Sequence, residues 1–299
     1  MAGVRRRQTK TDRRTEQRSA RALWLGLFIG ALLAAGFALT LRFLKPVEET
    51  VTSVDISPAE APGTVPQPAI ERLRVRVIRT YPHATDAFTQ GLIWDDGVLY
   101  ESTGQYGHSS LRRVRLEDGR VLTERKLEPN LFGEGLARVG DRLIQLTWRS
   151  GLAIVSDFAT LERKKTLRYP GEGWGLCYDG TALVMSDGSS ILDFRDPESM
   201  ELLSEVSVLN GGRPVRKLNE LECVGSDVYA NVWQSDEILR IDATTGRVTA
   251  IIDASGLLSR ADRMRSDVLN GIAYRPQSKT FLLTGKLWPH VFEVELVPR

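Results

Sequence analysis

The stretch Phe132-Gly133-Glu134-Gly135-Leu136, followed by Asp141-Arg142-Leu143-Ile144-Gln145-Leu146-Thr147-Trp148, reads as a strand, a tight turn and a second strand. Its apolar alternation has the period of two expected of a sheet. Glu134 stands between two glycines, at the start of what looks like the innermost strand of that sheet. A carboxylate is seldom buried unless it is paired or used, and flanking glycines let backbone or ligand come close. Alone, such a triplet is an ordinary turn acid. Repetition along the chain distinguishes it.

Four other stretches share the pattern. Phe88-Thr-Gln-Gly-Leu92 leads to Val98-Leu-Tyr-Glu-Ser-Thr103, and Gly173-Trp-Gly-Leu176 to Leu183-Val-Met-Ser-Asp187. Leu218-Asn-Glu-Leu221 leads to Val228-Tyr-Ala-Asn-Val-Trp233, and Leu269-Asn-Gly-Ile272 to Phe281-Leu-Leu-Thr-Gly-Lys286. Alignment puts Gln90, Glu134, Trp174, Asn219 and Asn270 at one shared station, at intervals of 44, 40, 45 and 51 residues. Mostly-strand units of about 40–50 residues are the mark of propeller blades. The expected fold is all-β, a five-bladed β-propeller. A β-sandwich would not repeat at so long and regular an interval. Leu73–Thr80 is expected to complete the last blade and close the ring, which removes exposed edges. Helical periodicity is weak, with one short helix expected around Leu257–Arg265.

Outside the repeats the chain changes character. Residues 1–45 carry ten Lys/Arg against two Asp/Glu, leaving thirty against thirty-six for the rest. A mildly acidic body lacks the basic face that nucleic acid requires, so no nucleic-acid partner is expected. Residues 22–41 contain no charge, enough to cross a bilayer, and the preceding basic segment 1–21 favours a cytoplasmic N-terminus. This reads as an uncleaved transmembrane helix rather than a signal peptide, because the basic region and the apolar run are both long. Residues 42–70, rich in Pro and acids, read as an extended tether. The catalytic or binding body is 71–299, exported to the periplasmic side of a bacterial inner membrane, or secreted if the N-terminal segment is cleaved. A monomeric body is expected.

In a propeller the station residues line one mouth of the central channel. A second ring comes from the ends of the following strands: Trp148, Trp233 and Lys286, with Asp187 near the equivalent place. One carboxylate, one lysine, three amides and three tryptophans would converge, as in a small-ligand site. The three histidines have no metal spacing, and neither a nucleophile elbow nor a nucleotide-binding glycine pattern occurs. No metal and no cofactor is expected. Cys177 and Cys223 fall one and two residues past equivalent leucines; in an exported body they could pair, but their opposite strand parity favours two buried thiols.

Taken in order, these motifs resemble the plant-type glutaminyl-peptide cyclotransferases. Tyr100-Glu-Ser-Thr-Gly-Gln-Tyr-Gly, Gln145-Leu-Thr-Trp, Ser186-Asp-Gly-Ser, Ala230-Asn-Val-Trp, Asp267-Val-Leu-Asn-Gly-Ile-Ala and Thr284-Gly-Lys-Leu-Trp-Pro carry the resemblance with the stretches above. It runs from about Tyr81 to Val294. It implies a five-bladed propeller that converts the N-terminal glutamine of peptides to pyroglutamate with release of ammonia. Glu134 matches the family's catalytic glutamate, and Gln90, Trp148, Trp174, Asn219, Trp233 and Lys286 fall on pocket positions. Asn270 joins the expected substrate-binding set by its station alone, although Asn also caps turns. The competing readings are a non-catalytic propeller binding a peptide or envelope partner, and a metal-dependent hydrolase that would want more acids than one.

Overall fold

The computed structural model describes residues 68–299, which lie within one compact unit, Pro66–Arg299. The expected membrane helix and most of the tether lie outside them. Among the described residues no helix is long and apolar enough to cross a membrane.

The body is almost entirely strand. It opens with β1 (Glu71–Pro82). A four-stranded sheet follows, β2 (Thr89–Asp95), β3 (Val98–Thr103), β4 (Ser110–Arg115) and β5 (Arg120–Lys126). The next is β6 (Gly133–Val139), β7 (Arg142–Thr147), β8 (Leu152–Asp157) and β9 (Arg163–Arg168). The third is β10 (Leu176–Tyr178), β11 (Leu183–Met185), β12 (Ile191–Arg195) and β13 (Leu202–Ser207). A small hairpin, β14 (Leu209–Asn210) and β15 (Arg213–Pro214), precedes β16 (Leu218–Val224), β17 (Asp227–Val232), β18 (Glu237–Asp242) and β19 (Val248–Asp253). After the single-turn helix α1 (Arg260–Arg263) come β20 (Leu269–Arg275), β21 (Thr280–Gly285) and β22 (His290–Pro298).

Within each group, neighbours in sequence are antiparallel neighbours in space. β1 lies antiparallel beside β22, with Val75 opposite Leu296 and Tyr81 opposite Val291. The first strand of the body thus completes the group formed by the last three, as the Leu73–Thr80 segment suggested. Its opposite edge runs parallel to β19, so the last two groups join into one eight-stranded sheet. The first strands β2, β6, β10, β16 and β20 neighbour one another in a closed cycle.

Burial follows this order. The innermost strands β2 and β6 are buried on both faces at their starts, whereas the edge strands β5, β9 and β13 are largely exposed and carry charge. That is how a sheet blunts an edge. The core divides into five apolar clusters, each between one group and the next. Ile144 and Val155 meet Leu176 and Met185, for example, and Leu92 and Val114 meet Leu282 and Val291. The first strands approach so closely that a side chain at Gly175 would put its Cβ 1.9 Å from the Asn219 carbonyl oxygen.

One expectation fails here. Cys177 and Cys223 form a disulfide, joining β10 to β16. Opposite parity favours this pairing rather than opposing it. Sheets stacked around a ring meet leading face to trailing face, so the facing positions of equivalent strands have opposite parity. Both sulfurs accordingly lie in one cluster with Val184, Leu221 and Val228.

Candidate active site

Local irregularity in the first strands presents the station residues. The ladders of β2, β6, β16 and β20 with their second strands each slip at the station, between Thr89 and Gly91, Gly133 and Leu136, Leu218 and Leu221, and Leu269 and Ile272. A bulge re-aims the side chain it carries. In the third sheet the strand itself begins only at Leu176, and Trp174 is held just before it by a backbone bond to Ser186, 2.9 Å.

A cavity of about 600 Å³ opens there. Gln90, Glu134, Trp174 and Asn219 line it from the stations, and Trp148, Trp233 and Lys286 from the residues that follow β7, β17 and β21. Seven of the eight expected site residues therefore meet in one place. Asn270 does not line it. It is wholly buried behind Gln90, donating to the Gln90 Oε1 at 3.2 Å and to the Thr89 carbonyl at 3.0 Å. The bulge that turns its neighbours toward the cavity leaves this side chain turned toward the adjacent strand. Asp187 only closes a turn, accepting from the Ser189 N–H.

Glu134 is 5% exposed. Gln90 donates its amide N–H to the Glu134 Oε1 at 2.9 Å, so the Gln90 amide is engaged at both ends and fixes the carboxylate's direction. The backbone of Glu134 is held as firmly, since Ser102 Oγ donates to its carbonyl and the Gly135 N–H donates to Trp174 O at 2.7 Å. Burial holds the carboxyl well above the ordinary range; the charge on Lys286 opposes this and that on Glu172 adds to it. Lys286, equally buried, has its ammonium pulled below the usual lysine range by the same loss of solvent, with Glu134 and Asp267 opposing. Its Nζ lies 5.0 Å from the Phe88 ring centroid.

The aromatic wall is built of paired rings. Trp148 meets Phe132 edge-on at 5.6 Å, and Trp174 meets Trp233 at 5.6 Å and 85°. Such geometries suit the ring quadrupoles. Among the described residues no group of His, Cys, Asp and Glu is arranged to hold a metal ion.

A family model described as glutamine cyclotransferase matches residues 50–296. The chain belongs to the glutamine cyclotransferase family. The match begins inside the segment read above as a tether. A glutaminyl-peptide cyclotransferase of Arabidopsis thaliana is 41% identical over 227 residues, covering 74% of this chain and 71% of that one. The crystal structure of Myxococcus xanthus glutaminyl cyclase superimposes with a TM-score of 0.72 at 45% identity, over 77% of this chain and all of that one.

The cyclotransferase cavity also contains residues that the repeat alignment passed over. Phe88, Phe132, Glu172 and Val268 line it, each two positions before a station. They lie just before the first strands, so the same alignment, read two residues earlier, contains this ring. A second signal was as plain: Gly171-Glu172-Gly173 repeats the triplet around Glu134. The two rings are joined by backbone bonds. Trp148 N–H donates to Phe132 O, Trp233 N–H to Lys217 O and Lys286 N–H to Val268 O, at 2.9–3.0 Å. Arg149, Gln234 and Asp267 complete the lining; they sit in loops, where no periodicity marks them.

Proposed function

We propose that the body is a five-bladed β-propeller that cyclises the N-terminal glutamine of peptides or proteins to pyroglutamate, with Glu134 as its proton carrier. The observation that carries this reading is a single buried carboxylate, aimed by Gln90, facing a lysine and three tryptophans in one cavity. Membership of the glutamine cyclotransferase family supports the same reaction.

The substrate's α-amine attacks its own γ-amide carbonyl. A carbon–nitrogen bond forms to close the five-membered ring, and the bond to the amide nitrogen breaks to release ammonia. The nucleophile is already tethered, so the enzyme gains by freezing rotors in the reactive arrangement. What remains is proton traffic: the attacking nitrogen must lose a proton and the departing one must gain it. Glu134 does both in sequence, and a carboxyl whose proton affinity has been raised by burial is better matched to that task near neutral pH. Lys286 and Asn219 donate to the oxygen on which negative charge develops. Gln90 keeps Glu134 oriented, and Asn270 keeps Gln90. The tryptophans receive the glutamine's alkyl chain and its ammonium before deprotonation.

We further infer that the body, 71–299, acts as a monomer outside the cytoplasm, tethered by residues 42–70 to a membrane helix at 22–41. The Cys177–Cys223 bond supports an oxidising compartment, and the uncharged run at 22–41 supports an anchor. The test is to incubate the full chain in detergent with a Gln-initiated peptide, with and without chelator. Release of one ammonia per peptide, undiminished by chelator, is expected. Tight peptide binding with no turnover would instead identify a non-catalytic binding module.

A further inference from the structure

Glu172 lies in the loop between β9 and β10 and takes part in none of the proton transfers proposed above. Its carboxylate is nevertheless the most heavily bonded group at the cavity mouth. The Trp148 indole N–H donates to its Oε2 at 2.7 Å, the Trp174 indole N–H to the same oxygen at 3.1 Å, and Arg149 Nε to Oε1 at 2.9 Å. The Arg149 guanidinium also lies over the Trp148 ring, 3.8 Å from its centroid.

These donors come from two different sheets. Trp148 follows β7, and Trp174 precedes β10. An indole has a single N–H, so fixing its direction fixes which way the ring faces. Both indoles are only partly buried, so their outer edges are held by Glu172 as well as by the rings they pack on. Trp174 in turn meets Trp233 edge-on, so an orientation set at Glu172 reaches the third tryptophan. Hydrogen bonds to an ionised acceptor are about twice as strong as neutral ones, which explains why a carboxylate holds this junction. Burial raises the Glu172 proton affinity, but the bonds from Trp174, Arg149 and Trp148 outweigh it and keep the carboxyl below its ordinary range.

We propose that Glu172 is a positioning residue: one carboxylate clamps Trp148 and Trp174 together across neighbouring sheets and fixes the planes of the wall that receives the substrate's N-terminal glutamine. In this role Glu172 uses three of its acceptor sites on protein donors and needs no bond to the substrate. It acts through the indoles. Its charge also reaches Glu134, where it favours the protonated form.

The proposal rests on the cyclase reading for its kinetic consequences but not for its structural one, and two measurements separate them. The first compares near-ultraviolet circular dichroism of the full chain with that of Glu172→Ala and Glu172→Gln, each checked for intact far-ultraviolet signal. Loss of indole fine structure in Glu172→Ala is expected whether or not the protein turns over peptide. The second measures kcat and KM for a Gln-initiated peptide across pH. Glu172→Ala should raise KM about tenfold with a smaller change in kcat, as loss of wall geometry affects binding first. Glu172→Gln should move the acid limb of kcat/KM to lower pH, because removing a negative charge near Glu134 lowers its proton affinity. A merely structural role would not shift that limb. Superimposable near-ultraviolet spectra, or a KM within twofold of wild type with an unmoved acid limb, would overturn the proposal. A wild-type chain that releases no ammonia would overturn the cyclase reading instead, and the spectra would still decide on Glu172.

Discussion

Replacing Cys177 and Cys223 together by alanine removes the covalent tie between the third and fourth sheets. The two residues are 46 positions apart, and cross-linking a loop of that length constrains the unfolded chain by about 4 kcal/mol at 25 °C in the chain-entropy treatment. For a body of this size each kcal/mol moves the midpoint by about 2–4 °C, so a fall in Tm of about 8–16 °C is expected. Alanine is the right replacement, since both sulfurs sit among apolar side chains and serine would add a buried hydroxyl without a partner. Turnover at 25 °C should survive. Trp174 and Asn219 are held by backbone, with Ser186 Oγ donating to Asn219 O at 2.7 Å and accepting from the Gly175 N–H at 2.8 Å. The assay is scanning calorimetry of the oxidised chain against the double variant at one pH, followed by ammonia release. A shift below about 2 °C would refute the loop-entropy argument, as would titration of both thiols in protein folded under oxidising conditions.

Three further outcomes follow from the cavity and the strands beneath it. Lys286→Met removes a donor to the developing oxyanion and should lower kcat about 10²–10³-fold. The same change removes the positive charge that opposes protonation of Glu134, so the acid limb of the residual activity should move to higher pH, opposite in sign to Glu172→Gln; stopped-assay pH profiles check both. Gly175→Ala forces a Cβ to within 1.9 Å of the Asn219 carbonyl oxygen and should cost at least about 2 kcal/mol by urea denaturation. Because Glu134 has its proton affinity raised in the folded chain, it weakens folding as pH rises above the ordinary carboxylate range. Glu134→Gln should therefore melt no lower than wild type at pH 8, measured by circular dichroism.

Much of this architecture can be read from residues. The station works as a marker because every first strand meets its neighbours under the same crowding, which leaves the same few residue types. Gly91, Gly135 and Gly175 each directly follow a station and press on the next strand. Closure by β1 is legible in the alternation of Leu73, Val75 and Val77, which find Pro298, Leu296 and Val294 opposite. Other features depend on three dimensions. Reading the disulfide requires knowing that the facing surfaces belong to different sheets, which makes opposite parity the condition for pairing. Asn270 escapes because a bulge and a neighbouring amide decide where its side chain turns. Glu172 is visible as a triplet, but its meaning requires two indoles that are 26 residues apart in the chain to lie on one carboxylate. Glu220 is buried completely, accepting from Ile272 and Leu92 N–H groups at 2.9 and 3.3 Å. A carboxylate that binds three first strands together looks, in sequence, like any other acid.

The most direct measurement is ammonia release from a Gln-initiated peptide by Glu134→Gln beside wild type, with peptide binding and melting followed on the same samples. Removing a general acid–base typically costs about 10²–10⁴ in rate, and a fall of that size in kcat, in a variant that still folds and still binds peptide, is the predicted result. A Glu134→Gln chain that cyclises within about threefold of the wild-type rate would show that no proton passes through this carboxylate.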